Sequence, residues 1–323
     1  VPIGVGAGIT IILAALFKAG NLVSKIPWAV MEGFTLGIAM VIGLQQLPMA
    51  LNVPKAPGTH TLTVAYHTVL DGVKKGLSLQ AILIVFASLL IKFSTPHILK
   101  KFKIRFFIPG SFTTIIIMTI VCWPFAVHRV GSLPVGIFSF QGQALSLGSM
   151  ALYSFVGATL AVAALGGIES LLSARVADQM AHHRELSRMQ PNHELFGQGV
   201  ATIVASLFGG MPATGAIART SVNVRAGGTT RLAAMFHALF LLLIYFLLGP
   251  AIAHVPSGAL AAILIGTSWK MANPREIKEQ LRTTQQEAIT FLATAISVLV
   301  IDLIWGIAIG LAIHYLLGIK EVN

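Results

Sequence analysis

The chain has 323 residues, of which 55% are hydrophobic and 10% are charged. Soluble domains carry about 25% charged residues, so this composition excludes an ordinary soluble domain and indicates one polytopic membrane bundle. The net charge of +11 does not indicate a nucleic-acid-binding protein, because the basic residues lie in short loops between apolar runs. The single cysteine, Cys122, excludes an intrachain disulfide.

Apolar runs follow one another along the chain, with lengths judged against the ~20 residues that cross a hydrocarbon layer. The loop at 52–77 is the longest connection, and Thr61–Val73 within it is predicted to form a surface helix. We predict eleven membrane segments, at 2–17, 27–47, 78–93, 107–127, 148–175, 195–208, 215–225, 230–253, 256–270, 285–301 and 303–318.

The charges between these segments predict how the chain crosses the membrane. With the 18–25 loop in the cytoplasm, seventeen of the 22 Lys and Arg residues, Lys92 among them, fall on the cytoplasmic side and four fall outside. An excess of basic residues in cytoplasmic loops is the expected bias for membrane proteins. The sequence therefore predicts a multi-pass protein of a bacterial inner (plasma) membrane, with its C-terminus in the cytoplasm.

The stretch 207–225 lies at membrane depth and holds four helix-breaking residues, Gly209, Gly210, Pro212 and Gly215. Broken backbone is tolerated in a bilayer only where it is buried in protein or lines a cavity. A half-helix restarting over 215–225 would direct its free amides and the positive end of its dipole at the break, where they attract anions. Arg219 adds a positive charge where charge is costly. The stretch predicts an anion-transport site.

Glu169 is an isolated acidic residue that follows 39 uncharged residues, 130–168. A carboxylate inside a membrane span is a functional candidate. Burial disfavours its charged form, so it could carry a proton, or it could ligate Na⁺. Ser173 lies four residues later and shares the helix face. Two alternatives stay open: Glu169 is a structural carboxylate bonded to neighbouring backbone, or it forms an ion pair with Arg219.

Other chemistry-bearing residues have plainer structural explanations. Glu32 lies about one turn into its span, where a structural or interfacial role and a functional role both stay open. Asp302 is expected to cap the last span. The histidines His182, His183 and His193 lack the cysteines and regular spacing of a zinc site, so we expect a solvated loop there. No nucleophile and base are spaced as in an enzyme. We therefore expect no enzymatic activity, and no cofactor beyond a coupling ion, H⁺ or Na⁺.

Several motifs occur together in the second half of the chain. They are Gly167-Ile168-Glu169-Ser170-Leu171-Leu172, Asn192-His193-Glu194-Leu195 with Gly197-Gln198-Gly199, Phe208-Gly209-Gly210, Pro212-Ala213-Thr214-Gly215-Ala216-Ile217-Ala218-Arg219-Thr220, Asn223, and Arg225-Ala226-Gly227. In these motifs the chain resembles the SulP family of sulfate permeases and related anion transporters. Thr202 is a departure, because many members have Asn at this position.

The resemblance implies an all-α polytopic membrane protein, part of a transporter with two inverted repeats of seven segments and a core and a gate domain. A discontinuous half-helix and a short strand are expected near 209–225. Residues 1–323 would form a SulP-type transmembrane domain that lacks the first three segments and has no STAS domain. Residues 1–127 would be the remainder of repeat one and 148–318 repeat two. The core would comprise 107 onward less the gate spans, and the gate would include 27–47, 78–93, 256–270 and 285–318 in part.

The implied function is secondary active transport of a small anion (sulfate, bicarbonate or a dicarboxylate) by H⁺- or Na⁺-coupled symport and an elevator movement. A passive anion exchanger or channel on the same fold is the alternative; a membrane-embedded enzyme or an inactive fragment is disfavoured. Because the segments expected to be absent hold half of the substrate site, the chain by itself should not transport. The implied partners are a small inorganic or carboxylate anion, membrane lipid and a second copy in a homodimer, with no nucleic acid.

The candidate site has an anion-binding part and an ion-coupling part. Glu169 occupies the position where bicarbonate-transporting members of the family place an Asp that binds Na⁺, and Ser173 preserves the hydroxyl four residues later. Members with Glu at this position include proton-coupled dicarboxylate transporters, which favours a proton here. The predicted substrate-binding residues are Thr214, Gly215, Ala216, Ile217 and Arg219.

Overall fold

The computed structural model describes residues 1–23, 26–76, 78–102, 109–132, 140, 151–180, 189–225 and 227–318. In chain order their helices are α1 (Pro2–Leu16), α2 (Gly20–Val23), α3 (Trp28–Gln45), α4 (Leu47–Leu51), α5 (Thr61–Lys75), α6 (Leu79–Lys101), α7 (Gly110–Val121), α8 (Leu152–Met180), α9 (Pro191–Leu207), α10 (Ile217–Arg225), α11 (Leu232–Ile252), α12 (Ser257–Ala272), α13 (Pro274–Gln280), α14 (Gln285–Val300) and α15 (Leu303–Leu316). Each of the eleven predicted segments overlaps a helix, and the predicted surface helix is α5. The ends differ most at α6, which continues to Lys101 where the prediction ends at 93, and at α7, which ends at Val121 where the prediction ends at 127.

The short strand expected near 209–225 is not found in the described part of the chain. Residues 211–216 are non-helical backbone without a ladder partner, and the one backbone bridge among the described residues joins Arg129 to Pro256. A strand requires a neighbouring strand to accept and donate its backbone hydrogen bonds. No such neighbour lies beside this segment within the ranges given above.

Four helical stretches among the described residues are long and apolar enough to cross a membrane: Trp28–Leu51, Leu79–Lys101, Leu152–Asp178 and Leu232–Ile252. Four shorter apolar helices accompany them, at Pro2–Leu16, Gly110–Val121, Gln285–Val300 and Trp305–Leu316. Predicted segments that are shorter than a full span are therefore helical as well.

The helices divide into two compact units according to their contacts. Unit 1 comprises Val1–Met31 and Pro134–Phe240, and unit 2 comprises Glu32–Leu133 and Leu241–Asn323. Each unit thus combines two stretches that are distant in the chain. The division into a first repeat at 1–127 and a second at 148–318 is a different partition, and it stays a prediction.

In unit 1, α1 packs directly on α9 through two glycines. A Cβ on Gly8 would lie 2.7 Å from the carbonyl oxygen of Gly199, and a Cβ on Gly199 would lie 2.8 Å from that of Gly8. Neither position has room for a side chain, and such close approach between glycines is typical of membrane helices. The adjoining core of α1, α8 and α9 comprises Ala7, Ile11, Ala15, Ala163, Leu171 and Leu195.

In unit 2, α6, α7 and α12 pack against one another. Lys92 of α6 is 3% exposed; its ammonium group donates to the carbonyl oxygen of Ile263 and, at 2.7 Å, to the hydroxyl of Thr267. Lys92 is therefore a buried residue within helix α6 and not a loop charge, and its assignment to the cytoplasmic side stays a prediction. A Cβ on Gly110 of α7 would overlap the carbonyl oxygen of Lys92.

The segment 107–127 was expected in the core domain with the other spans after 107. Its helix, α7, packs on α6 and α12 and belongs to unit 2, which also contains the predicted gate ranges apart from residues 27–31. Hydropathy identifies a span but carries no information on which neighbour it packs against, so this assignment required the tertiary contacts. The division into core and gate domains stays a prediction.

Candidate functional site

The predicted break between α9 and α10 is present in unit 1. After α9, Gly209 adopts a positive φ of 75°, and the amide of Gly210 donates to the carbonyl oxygen of Ala205 at 2.8 Å. Residues 211–216 are non-helical, and α10 begins at Ile217. A positive φ is readily adopted only by glycine, which explains why the chain turns here. The half-helix predicted for 215–225 is thus confirmed with a start two residues later.

Glu169 of α8 is bonded to the non-helical segment. The hydroxyl of Thr214 donates to Oε2 of Glu169 at 2.6 Å, and both side chains are half-buried. Hydrogen bonds to an ionised carboxylate are short and strong compared with neutral ones. The carboxylate is therefore hydrogen-bonded to Thr214, the residue immediately before Gly215.

The backbone of Gly215 packs closely against α8. Its amide donates to the hydroxyl of Ser170 at 3.2 Å, and a Cβ at this position would lie 3.2 Å from the Cβ of Ser173 and 3.5 Å from the Cα of Ser170. The sequence predicts Gly215 as a helix breaker and a substrate-binding residue. The structure provides another reason for glycine here, which is the close approach of the segment to α8.

Ser173 makes a further link between α8 and α10. Its hydroxyl lies 2.6 Å from the hydroxyl of Thr220, and the residue is 3% exposed. Neither Ser170 nor Thr220 was singled out from the sequence. Both hydroxyls lie in motifs that carry the family resemblance, and a hydroxyl next to Glu169 could have been recognised as a candidate partner for the broken backbone.

α9 holds the segment through Gln198, another residue that the sequence analysis did not select. The side-chain amide of Gln198 donates to the carbonyl oxygen of Ala213 and, at 3.3 Å, to the hydroxyl of Thr202. Thr202 in turn donates to the backbone oxygen of Gln198 at 2.8 Å. The residue before Thr214 is thus fixed from α9 while Thr214 itself is bonded to α8.

Arg219 lies in the first turn of α10 and is exposed. Among the described residues no ion pair joins Arg219 to Glu169, whose carboxylate is bonded to Thr214. The alternative in which the two residues pair is therefore not observed. The first-turn amides of α10, which begin at Ile217, have no acceptor inside the helix, and Ala216 is half-buried beside them.

Residues outside this cluster have separate surroundings. Asp302 accepts from the amide of Trp305 at 2.9 Å, which confirms its predicted capping role. His182 and His183 lie outside the described residues, and His193 lies in the first turn of α9.

A cavity of about 310 Å³ between α1, α8 and α9 includes Ile168 in its wall. Its lining is mainly apolar, so it is unsuited to an anion.

Two curated relatives match nearly the whole chain. YvdB of Bacillus subtilis, a sulfate transporter by name, is 33% identical in an alignment of 332 positions that covers 99% of this chain and 59% of that protein. The bicarbonate transporter BicA of Synechocystis is 27% identical over 319 residues, which cover 98% of this chain and 54% of that protein. This chain therefore spans a little more than half of the length of these relatives.

Two solved structures share the fold. The transmembrane domain of a cyanobacterial bicarbonate transporter BicA superposes with a TM-score of 0.77 at 21% identity, covering 97% of this chain and 75% of that one. The overall structure of SLC26A9 superposes with a TM-score of 0.81 at 16% identity, covering 98% and 50%. These likenesses confirm the all-α fold of a transporter with two inverted repeats of seven segments.

The sequence motifs and the whole-chain likenesses point to one family, and a family model tests this directly. The model described as "Sulfate permease family" matches residues 2–294. Its members are integral membrane transporters and not enzymes, in agreement with the absence of a nucleophile–base pair noted in the sequence. The chain belongs to the sulfate permease family.

Proposed function

We propose that this chain forms part of a secondary active transporter for a small anion, with sulfate, bicarbonate or a dicarboxylate as the candidate substrates. The observation that carries the proposal is the hydrogen bond between Thr214 and Glu169. It attaches an ionisable group in a membrane span to the residue that leads into the first turn of α10. The segment that contains Thr214 would therefore connect an ion bound at Glu169 to an anion bound at the start of α10.

The anion-binding part consists of backbone amides and a fixed charge. The amides in the first turn of α10 lack helical acceptors, and the positive end of the helix dipole lies there. The amide of Gly215 is already bonded to Ser170, so Ala216 and Ile217 are the better candidates for direct contact. Arg219 adds positive charge from an exposed position. Sulfate, bicarbonate and dicarboxylates all accept such hydrogen bonds.

The coupling part is Glu169 with its hydroxyl neighbours, and H⁺ is the favoured ion. A charged Glu169 can only accept from Thr214, whereas a protonated Glu169 also offers an O–H donor. Protonation would further remove a negative charge that repels an incoming anion. The residues also fit Na⁺ in chemical type, since carboxylate and hydroxyl oxygens suit hard cations; Glu169, Ser173 and Thr214 would hold it.

Unit 1 contains the site, so it is the unit expected to carry the anion in an elevator movement. The assembly is proposed to be a homodimer in a bacterial inner membrane with the C-terminus of this chain in the cytoplasm.

Uptake by the full-length gene product in proteoliposomes tests the function. Radiolabelled sulfate, bicarbonate and a dicarboxylate would be offered separately, with a pH gradient or a Na⁺ gradient imposed one at a time. Accumulation of one anion above its equilibrium level under one gradient is the expected result and identifies both substrate and coupling ion. Equilibration without accumulation would instead establish a passive exchanger or channel. No flux of any of the three above that of protein-free liposomes would overturn the proposal.

A further inference from the structure

Helix α5 has three different faces along its length, each repeated at helical spacings of three and four residues. One face is buried and comprises Val64, Ala65, Thr68 and Gly72. The second, the apolar face, is exposed and comprises Leu62, Tyr66, Val69 and Val73. The third, the polar face, is exposed and comprises Thr63, His67, Asp71 and Lys74.

The buried face attaches α5 to unit 2. Val64 and Ala65 are 7% and 5% exposed, and α5 packs on α4 and α14. The hydroxyl of Thr68, itself fully buried, donates to the carbonyl oxygen of Val64 at 2.7 Å and accepts from the amide of Ala56 at 3.2 Å. About one third of the surface of α5 therefore packs against other helices of unit 2.

The apolar face requires a different environment. Tyr66 and Val73 are 63% and 60% exposed, and within the described residues no helix covers this side. If α5 merely rested on a protein surface in water, its two exposed faces would both be polar. Four apolar residues in one continuous stripe instead indicate a second apolar phase beside the protein.

The position of α5 in the chain identifies that phase as lipid. The helix lies between two stretches that can each cross a membrane, Trp28–Leu51 and Leu79–Lys101. It therefore connects two spans at one membrane surface. Tyr66 is of the residue type that is enriched at the membrane–water boundary. Lys55 and Lys74 are both exposed nearby and can approach anionic headgroups.

We propose that α5 is an interfacial helix whose apolar face lies at the boundary between lipid headgroups and acyl chains, while its polar face is in water. Helices with separate polar and apolar faces lie in the plane of this boundary. Because the third face is packed on α4 and α14, the helix would set the depth of unit 2 in the bilayer. The proposal does not depend on which anion is transported.

Spin labels on single cysteines test this placement in the full-length protein. Every native cysteine would be replaced by alanine, including Cys122, which is 4% exposed. Labels at Tyr66→Cys and Val69→Cys report on the apolar face, and His67→Cys in the same turn is the matched control on the polar face. The protein would be reconstituted in liposomes of phosphatidylethanolamine and phosphatidylglycerol. Collision rates are measured with oxygen, which concentrates in acyl chains, and with a water-soluble nickel chelate.

The expected ratio of oxygen to nickel collisions is at least about threefold higher at both apolar-face labels than at His67→Cys. Frequent nickel collisions on both faces would place the apolar face in water and overturn the proposal. Rare collisions with both reagents at the apolar face would show that protein, for example a second copy of the chain, covers it, and would overturn the proposal equally. Leu62→Cys and Val73→Cys give the same readout if one of the first two variants fails to fold.

Discussion

Units 1 and 2 both bury polar side chains, but they use them differently. In unit 2, Lys92 bonds to Ile263 and Thr267, so that two uninterrupted helices are fastened together. In unit 1, the hydrogen bond between Thr214 and Glu169 joins the interrupted backbone to helix α8. The hydroxyls of Ser170 and Ser173 and the side-chain amide of Gln198 make further links to this region. Polar side chains thus join continuous helices in unit 2, and in unit 1 they hold the interrupted backbone of the proposed site.

The difference follows from backbone hydrogen bonding. The amides of a continuous helix bond to carbonyl oxygens of the same helix. A buried polar side chain beside such a helix therefore requires hydrogen-bond partners only for its own polar atoms. An interrupted helix leaves amides without acceptors and requires side chains to hold the gap in place. Those side chains then lie beside the free amides, where the proposed anion and coupling ion would bind. Substitutions of unit 1 links should therefore change binding and coupling, and substitutions of unit 2 links should not.

Glu169→Gln should have the largest effect. Glutamine preserves the size of the side chain and can accept from Thr214, but it cannot be protonated or carry charge. We expect part of the anion binding to remain, while accumulation driven by the coupling gradient falls to the passive level. Uptake in proteoliposomes with and without the gradient measures this. Accumulation at the wild-type level would contradict the assignment of Glu169 as the coupling residue.

Gly215→Val should have the next largest effect. A Cβ at 3.2 Å from that of Ser173 is already tight, and the branched side chain would displace the segment from α8. The anion dissociation constant should rise at least about tenfold, equivalent to ~1.4 kcal/mol, with smaller losses for Gly215→Ala. Gly197 of α9 has no neighbour within 4 Å of an added Cβ, so Gly197→Val is the matched control. An unchanged affinity of Gly215→Val in detergent would disprove this placement.

Arg219→Ala should have a moderate effect on affinity. Arg219 is exposed, so its charge is partly screened, and we expect the dissociation constant to rise about twofold to tenfold. Arg219→Lys should recover part of this loss, because it restores the charge but not the planar fork.

A double-mutant cycle with Glu169→Gln separates this role from a structural one. If Arg219 acts on the anion, its substitution should weaken binding in both backgrounds. Recovery of yield and affinity together in Arg219→Ala with Glu169→Gln would show that the two residues form a pair and that Arg219 has no separate effect on affinity.

Lys92→Met should have the smallest effect and sharpens the comparison. The two partners of Lys92 stay satisfied without it, because Thr267 also donates to the carbonyl oxygen of Ile263 at 2.8 Å. Replacing a buried charge with an apolar side chain of similar length is often neutral for stability. We expect the unfolding free energy to change by no more than about 1 kcal/mol, and the anion affinity to stay at its wild-type value. A tenfold loss of affinity would show that the fasteners of unit 2 also belong to the anion site.

Much of the helical organisation could be predicted from the sequence. The run from Leu232 to Ile252 is apolar apart from His237 and Tyr245. Gly209 and Pro212 disfavour a helix whatever its tertiary surroundings. Hydropathy and helix-breaking residues act over a few neighbouring positions, so the sequence is sufficient to place spans and breaks. The candidates Glu169 and Ser173 were recognisable for a similar reason, since a carboxylate and a hydroxyl four residues apart share one face of any helix.

Other features depended on the tertiary structure. The bonds from Ser170 to Gly215 and from Gln198 to Ala213 join residues 45 and 15 positions apart. The burial of Lys92 and the place of α7 in unit 2 likewise depend on which helices become neighbours. By itself the sequence determined which stretches are helical, where they break, and which residues could carry charge or bind an ion. The rotation of each helix about its axis and its choice of neighbour decided which of these residues meet, because both depend on packing between atoms that are distant along the chain.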